Sequence, residues 1–136
     1  MLKTILLAAC LMLMCFVLDG LWLGVVGKSF YQKQIGSLMY DSPLSSPLRL
    51  AGVIVIYILI IAAILNFIVL TPQGALNPFW KGAFLGLVIY GVYDLTNYAT
   101  LRGWPLTVCV VDAAWGALLC GLLAWAGSLL ARRWML

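Results

Sequence analysis

The chain contains no histidine. That absence excludes histidine-ligated haem, the common zinc sites and any Ser-His or Cys-His catalysis, each of which needs an imidazole as ligand or base. Charge is scarce as well. Only 9% of residues are charged and 65% are apolar, whereas a soluble domain carries about 25% charged residues. Such a chain cannot cover a water-facing surface, and its mean hydropathy of +1.12 is that of an integral membrane protein. Paired cysteine motifs are missing too. Cys10, Cys15, Cys109 and Cys120 all lie in apolar runs with no C-x-x-C among them, so they read as small buried hydrophobes. Nothing here implies a cofactor, and no catalytic residue is assigned.

The 136 residues suit a single transmembrane domain, 1–136. A net charge of +4 would suggest nucleic acid in a soluble protein. Here the basic residues stand at the ends of apolar runs, where topology signals and lipid-headgroup contacts are found. The expected partner is the lipid bilayer, and nucleic acid is excluded. Lys3 followed by an apolar run resembles a signal peptide, and Leu7-Ala8-Ala9-Cys10 a lipoprotein cleavage box. Only about six residues separate Lys3 from Cys10, short of the roughly 7–15 of a signal hydrophobic region, and the apolar run continues past the cysteine. A retained first helix is expected.

Four segments are long enough to cross about 30 Å of hydrocarbon at about 1.5 Å per residue: residues 4–27, 50–70, 79–101 and 106–131. The expected architecture is all-α, an integral membrane four-helix bundle. Thr71-Pro72-Gln73-Gly74 to Asn77-Pro78 reads as a Pro/Gly turn, and Arg102-Gly103-Trp104-Pro105 as a tight hairpin connection. Trp80, Trp104, Trp125 and Trp134 stand near helix ends, as an aromatic belt would. In the long loop 28–49, Phe30, Tyr31, Ile35, Leu38 and Met39 recur at helical spacing between Lys28, Gln32, Lys33 and Ser37. This predicts a short amphipathic interfacial helix between the first and second spans, ended by Asp41-Ser42-Pro43.

Small residues recur every four positions: Gly20 and Gly24, Gly82 and Gly86, and Gly116, Cys120, Ala124 and Ser128. Lipid does not drive helices together by the hydrophobic effect, so close backbone approach along such stripes is the expected mode of association. Packing within one bundle is preferred here over a dimer interface.

Sidedness is close to a tie. Lys3, Lys81, Arg132 and Arg133 fall on one side and Lys28, Lys33, Arg49 and Arg102 on the other. Cytoplasmic termini are assigned on the ground that Lys28, Lys33 and Arg102 answer nearby acids instead of setting orientation.

Those acids are the most informative feature. Three of the four acidic residues, Asp19, Asp94 and Asp112, sit inside apolar spans. A carboxylate there costs about 2.5–3.5 kcal/mol on insertion scales. Counted from the face carrying loop 28–49, all three lie at nearly one depth, roughly 10 Å below the surface at about 1.5 Å per residue. Asp19-Gly20-Leu21-Trp22 and Asp112-Ala113-Ala114-Trp115 repeat a D-x-x-W pattern, which puts both indoles on the acidic faces. Tyr90, Asp94 and Asn97 form a polar stripe on the third span, with Tyr98 beside it.

Three carboxylates close together in low dielectric cannot all ionise cheaply. Either at least one carries a proton near neutral pH or a cation neutralises them. Arg102 and Lys28 are the candidate internal counter-ions, their long stems bending down from the interface. Otherwise the cation is a guest: a proton, a metal ion of unspecified kind, or an organic ammonium suited to Trp and Tyr faces. The candidate ligand-binding residues are therefore Asp19, Asp94, Asp112, Trp22, Trp115, Tyr90 and Asn97.

Leu18-Asp19-Gly20-Leu21-Trp22-Leu23-Gly24, Phe30-Tyr31, Tyr90-Gly91-Val92-Tyr93-Asp94-Leu95-Thr96-Asn97, Gly103-Trp104-Pro105 and Asp112-Ala113-Ala114-Trp115-Gly116 together resemble a bacterial multi-pass membrane family, domain of unknown function 2177. The likeness covers nearly the whole chain. It implies a small multi-pass protein of the bacterial inner membrane and carries no established activity.

Three functions compete. The first is binding or transport of a cation or a proton-linked small ligand at the acidic level. Small multidrug transporters are comparable in size and span count only. The second is a non-catalytic membrane subunit or assembly factor, with the aspartates as structural polar contacts of about 0.6 kcal/mol each. The third is a membrane-embedded Asp-dependent hydrolase or lipid enzyme. Tyr93-Asp94 and Asp112 parallel the two carboxylates of intramembrane aspartyl proteases. Val110-Val111-Asp112, however, lacks the glycines that precede the second acid there, and no phosphate-handling motif accompanies the acids. An enzyme is the less favoured reading.

Overall fold

A computed structural model describes residues 1–72 and 74–135. Gln73 of the expected Pro/Gly turn, and Leu136 at the end of the expected domain, lie outside the described residues. Among those described, every regular element is helical. Apolar side chains surround most of these segments, and a backbone without water must satisfy its own N–H and C=O groups, which a helix does within one segment.

The elements are α1 (Leu2–Leu21), α2 (Lys28–Ile35), α3 (Pro47–Ile64), α4 (Pro78–Thr100) and α5 (Leu106–Met135). Wider π-helical turns, Trp22–Val26 and Leu65–Val69, prolong α1 and α3. Leu2–Val26, Pro47–Val69 and Leu106–Trp134 are each long and apolar enough to cross a membrane. At 23 residues α4 matches them in length, but Lys81, Asp94, Thr96 and Asn97 make it more polar. Three of the four segments read from hydropathy thus coincide with helices long and apolar enough to cross a membrane, and the fourth coincides with the more polar α4.

Each boundary has a local cause. Pro47 and Pro78 open α3 and α4 at the first helical position, where no N–H is needed. The Asn77 side chain caps α4 by accepting the Phe79 N–H at 2.9 Å. After Thr100 the chain turns extended at Leu101, and Gly103 takes φ +81°. Only glycine adopts that value cheaply, so it makes the α4–α5 hairpin short.

The amphipathic helix is shorter than its side-chain pattern predicts. It stops at Ile35 and passes into a single 3₁₀ turn, Gly36–Leu38, well before Asp41-Ser42-Pro43. Gly36, a poor helix former, interrupts the run. Leu38 and Met39 are consequently exposed, and Tyr31 is the one residue of α2 that is buried.

The core lies between α1, α3 and α5. Leu7, Leu11 and Cys15 of α1 meet Ile60, Ile61 and Ile64 of α3 and Leu119, Cys120 and Leu123 of α5. Helix α4 lies along α5, in contact closer than ordinary side chains allow. A Cβ at Gly82 would strike the Cys120 carbonyl, and one at Gly86 the Gly116 carbonyl. These two small-residue stripes therefore face each other, as helices without a hydrophobic drive require. Gly20 and Gly24 behave differently: nothing stands within 4 Å of either position. Among the described residues, none packs against that stripe.

Candidate functional site

The inward rows of the helices explain how the acids meet. On α1 the buried row Leu7, Leu11, Cys15 continues four residues later into Asp19. On α4 the row Gly82, Gly86, Tyr90 continues into Asp94, and on α5 Asp112 precedes Gly116, Cys120 and Ala124. Residues four apart form one ridge of a helix. Each aspartate thus extends a ridge already committed to packing, and all three turn inward at the end nearest α2.

Asp19 is buried and doubly held. It accepts hydrogen bonds from the Tyr57 hydroxyl of α3 and from Trp115 Nε1 of α5, the latter at 2.8 Å. Phe16 packs edge-on against the Tyr57 ring at 4.7 Å and keeps it in place. Asp112 is half-buried and accepts from the Tyr31 hydroxyl of α2, which itself accepts from Trp22 Nε1 at 2.9 Å. The indoles of Trp22 and Trp115 stack face to face, 4.5 Å apart and 5° from parallel. They join the two carboxylate clusters into one layer.

The chain after Trp22 is shaped to return Tyr31 to this layer. The π-helical turn ends at Gly27, where a Cβ would meet the Tyr31 ring at 2.8 Å. Without a side chain there, Tyr31 folds back beneath Trp22. A second tie, Thr107 Oγ1 to Gln34 Oε1 at 3.1 Å, fastens the end of α2 to the start of α5. Burial, and then the hydrogen bond to Asp112, push the Tyr31 phenol above the ordinary tyrosine range. It stays a neutral donor to Asp112 well into alkaline conditions.

Asp94 differs from both. It is fully buried, yet neither carboxyl oxygen meets a hydrogen-bond partner among the described residues. The Asp112 carboxyl and the Trp104 indole are the polar side chains facing it. Trp104 Nε1 is also unpartnered, its ring held edge-on by Tyr93 at 6.2 Å. The Cys109 thiol lies 3.4 Å from the Asp94 carbonyl and bonds the backbone, leaving the carboxyl alone.

The remaining candidates are placed as follows. Tyr90 is half-buried, its ring seated in the space that Gly116 leaves open. Asn97 is half-buried and makes no side-chain bond to the acids. Lys28 and Arg102 are exposed, and no ion pair reaches Asp19, Asp94 or Asp112 among the described residues. The charge argument for cytoplasmic termini thereby loses its second leg, and orientation returns to four basic residues against four. No group of three or more Cys, Asp or Glu side chains is arranged to hold a metal among the described residues.

Two participants were not legible as such. Tyr57 is the one residue between Leu50 and Leu65 with a polar side-chain atom, a signal that could have marked it. In the sequence Tyr31 reads as part of an apolar face, because nothing local shows its partner 81 residues away.

What these elements define is a helical membrane protein with a carboxylate and aromatic layer near one end. The chain matches domain of unknown function 2177, described as a predicted membrane protein, over residues 4–129, and it belongs to that family. No curated protein and no solved structure matches it.

Proposed function

We propose that this is a four-span protein of the bacterial inner membrane, with α2 lying at the interface, and that its acidic layer binds a proton-linked small ligand or cation through Asp94 and Asp112. One observation carries the reading: Asp94 is buried, and among the described residues neither carboxyl oxygen has a hydrogen-bond partner and no basic side chain pairs with it. A bare carboxylate in that position costs several kcal/mol, roughly, and it neutralises itself by holding a proton or a guest cation.

The geometry favours a proton over the other guests. Among the described residues no three Cys, Asp or Glu side chains are grouped to coordinate a metal. An organic cation would need a space between Trp22 and Trp115, whose facing surfaces are closed against each other. A proton needs only two neighbouring carboxyls, of which one can keep it while the other ionises. Asp19 takes the structural part, because two donors from α3 and α5 already satisfy it. The polar-strut reading thus describes Asp19, and the exchange reading describes the Asp94–Asp112 pair.

The test is proton release. When the purified chain in lipid is raised from mildly acidic to mildly alkaline pH, an indicator dye should register a proton that Asp94→Asn and Asp112→Asn no longer release. Equal release from wild type and both variants would remove the proposal.

A further inference from the structure

Trp104 stands on the hairpin between α4 and α5, where its neighbours Arg102 and Gly103 are exposed. A tryptophan at a helix end normally turns its N–H to headgroups and water. This one does the reverse. The residue is half-buried, and its Nε1 is shut off from solvent with no hydrogen-bond partner among the described residues. Gly103 at φ +81° and Pro105 leave the backbone between them little freedom, so the turn itself fixes where the indole points. The Tyr93 ring packs edge-on against the indole. The Cys109 thiol touches the carbonyls of both Asp94 and Pro105, at 3.4 and 3.6 Å. The two sides of the turn are thereby held together, with Trp104 beside Asp94.

Two buried groups of opposite hydrogen-bonding sense therefore face each other: an N–H without an acceptor and a carboxyl without a donor. The other titratable groups around Asp94 are already committed. From α5, the Cys109 thiol bonds backbone carbonyls, and Asp112 accepts from Tyr31. From α2, the Tyr31 hydroxyl gives its one proton to Asp112. No lysine or arginine bonds to Asp94 among the described residues. Trp104 Nε1 is the donor that remains. An indole N–H only donates, and it holds an ionised carboxyl more strongly than a protonated one.

We infer that Trp104 is the positioning residue of the Asp94–Asp112 pair: its N–H takes up the Asp94 carboxylate when the pair gives up its proton, and so sets the pH of release. The proton passes to water and the electron pair of the broken O–H bond stays on the carboxylate. The inference rests on the proton exchange proposed above and adds the group that holds the proton-free state. Each acid of the pair then has one donor, Tyr31 for Asp112 and Trp104 for Asp94.

Proton release from the full chain in lipid, registered by an indicator dye across pH, tests it. Trp104→Phe keeps a ring against Tyr93 and loses the N–H. Its release midpoint should rise by about one pH unit, an about tenfold gain in proton affinity. Trp80→Phe removes an indole N–H from the exposed far end of α4 and should leave the midpoint in place. A second measurement needs no altered packing. The indole N–H resonance of Trp104 in the wild-type chain, identified by its loss in Trp104→Phe, should move downfield with the midpoint of proton release. In Asp94→Asn it should stand still. Wild-type release with an unchanged midpoint in Trp104→Phe, or an indole resonance that ignores the titration, would overturn the assignment while leaving the exchange reading intact. No release from the wild-type chain would remove both.

Discussion

Trp22 and Trp115 stack 4.5 Å apart, and each serves the other helix's aspartate. Both indoles follow an aspartate by three residues, yet Trp115 donates to Asp19, and Trp22 reaches Asp112 through the Tyr31 hydroxyl. The repeated D-x-x-W pattern is therefore a crossed pair of supports joining α1 to α5. The arrangement gives Asp19 and Asp112 hydrogen-bond donors from other helices, and it sets Asp94 apart as the acid without one among the described residues.

Removal of the Tyr31 hydroxyl should loosen α2 more than any other single change in that helix. Tyr31→Phe strips Asp112 of its donor and Trp22 of its acceptor, at a cost of about 1–3 kcal/mol. The variant should melt earlier and be cut faster by protease within residues 36–46. Unchanged protease sensitivity would mean that the Gln34–Thr107 contact holds α2 alone.

The Tyr31 phenol also makes a pH prediction. Burial and the bond to Asp112 raise its folded value, so this stabilisation is whole below the unfolded value of about 10. It is lost as pH climbs through the folded value. Ultraviolet titration of tyrosinate should show a late component, above about 10, that Tyr31→Phe lacks. A component lost from the ordinary range would contradict the geometry.

At Asp19, the two donors should be energetically coupled. Tyr57→Phe and Trp115→Phe each remove one bond, at about 1–2 kcal/mol. The double variant should cost more than their sum, because it leaves a buried carboxyl with no partner. Strict additivity in melting experiments would show that water or lipid replaces the lost donors.

The α4–α5 contact depends on absent side chains. Gly86→Ala drives a Cβ into the Gly116 carbonyl, and the helices must separate, at about 3 kcal/mol. Gly20→Ala meets nothing within 4 Å and should be neutral or stabilising by about 0.5 kcal/mol. Melting temperatures of the two variants distinguish these outcomes directly.

The long helices were readable because hydropathy and length report them directly: Leu2–Val26 and Pro47–Val69 begin and end within a few residues of the apolar runs. That Asp19, Asp94 and Asp112 stand at the same end of their helices followed from counting along the sequence. Their partners did not. Tyr57 lies 38 residues from Asp19 and Trp115 lies 96, and such pairings depend on which helix neighbours which. The glycine stripes showed the same limit. Gly82, Gly86 and Gly116 found one another, but Gly20 and Gly24 face away from the chain. Spacing identified the faces without showing what each face meets. The early end of α2 at Gly36 was a matter of local propensity outweighed in the reading by a longer apolar pattern.

Infrared spectroscopy of the protonated carboxyl C=O stretch tests the central claim most directly. In lipid near neutral pH, the wild-type chain should show a band from a carboxylic acid shielded from water, and Asp94→Asn should abolish it while Asp19→Asn leaves it in place. A wild-type spectrum containing only ionised carboxylates at that pH, or a band that survives Asp94→Asn, would contradict the account.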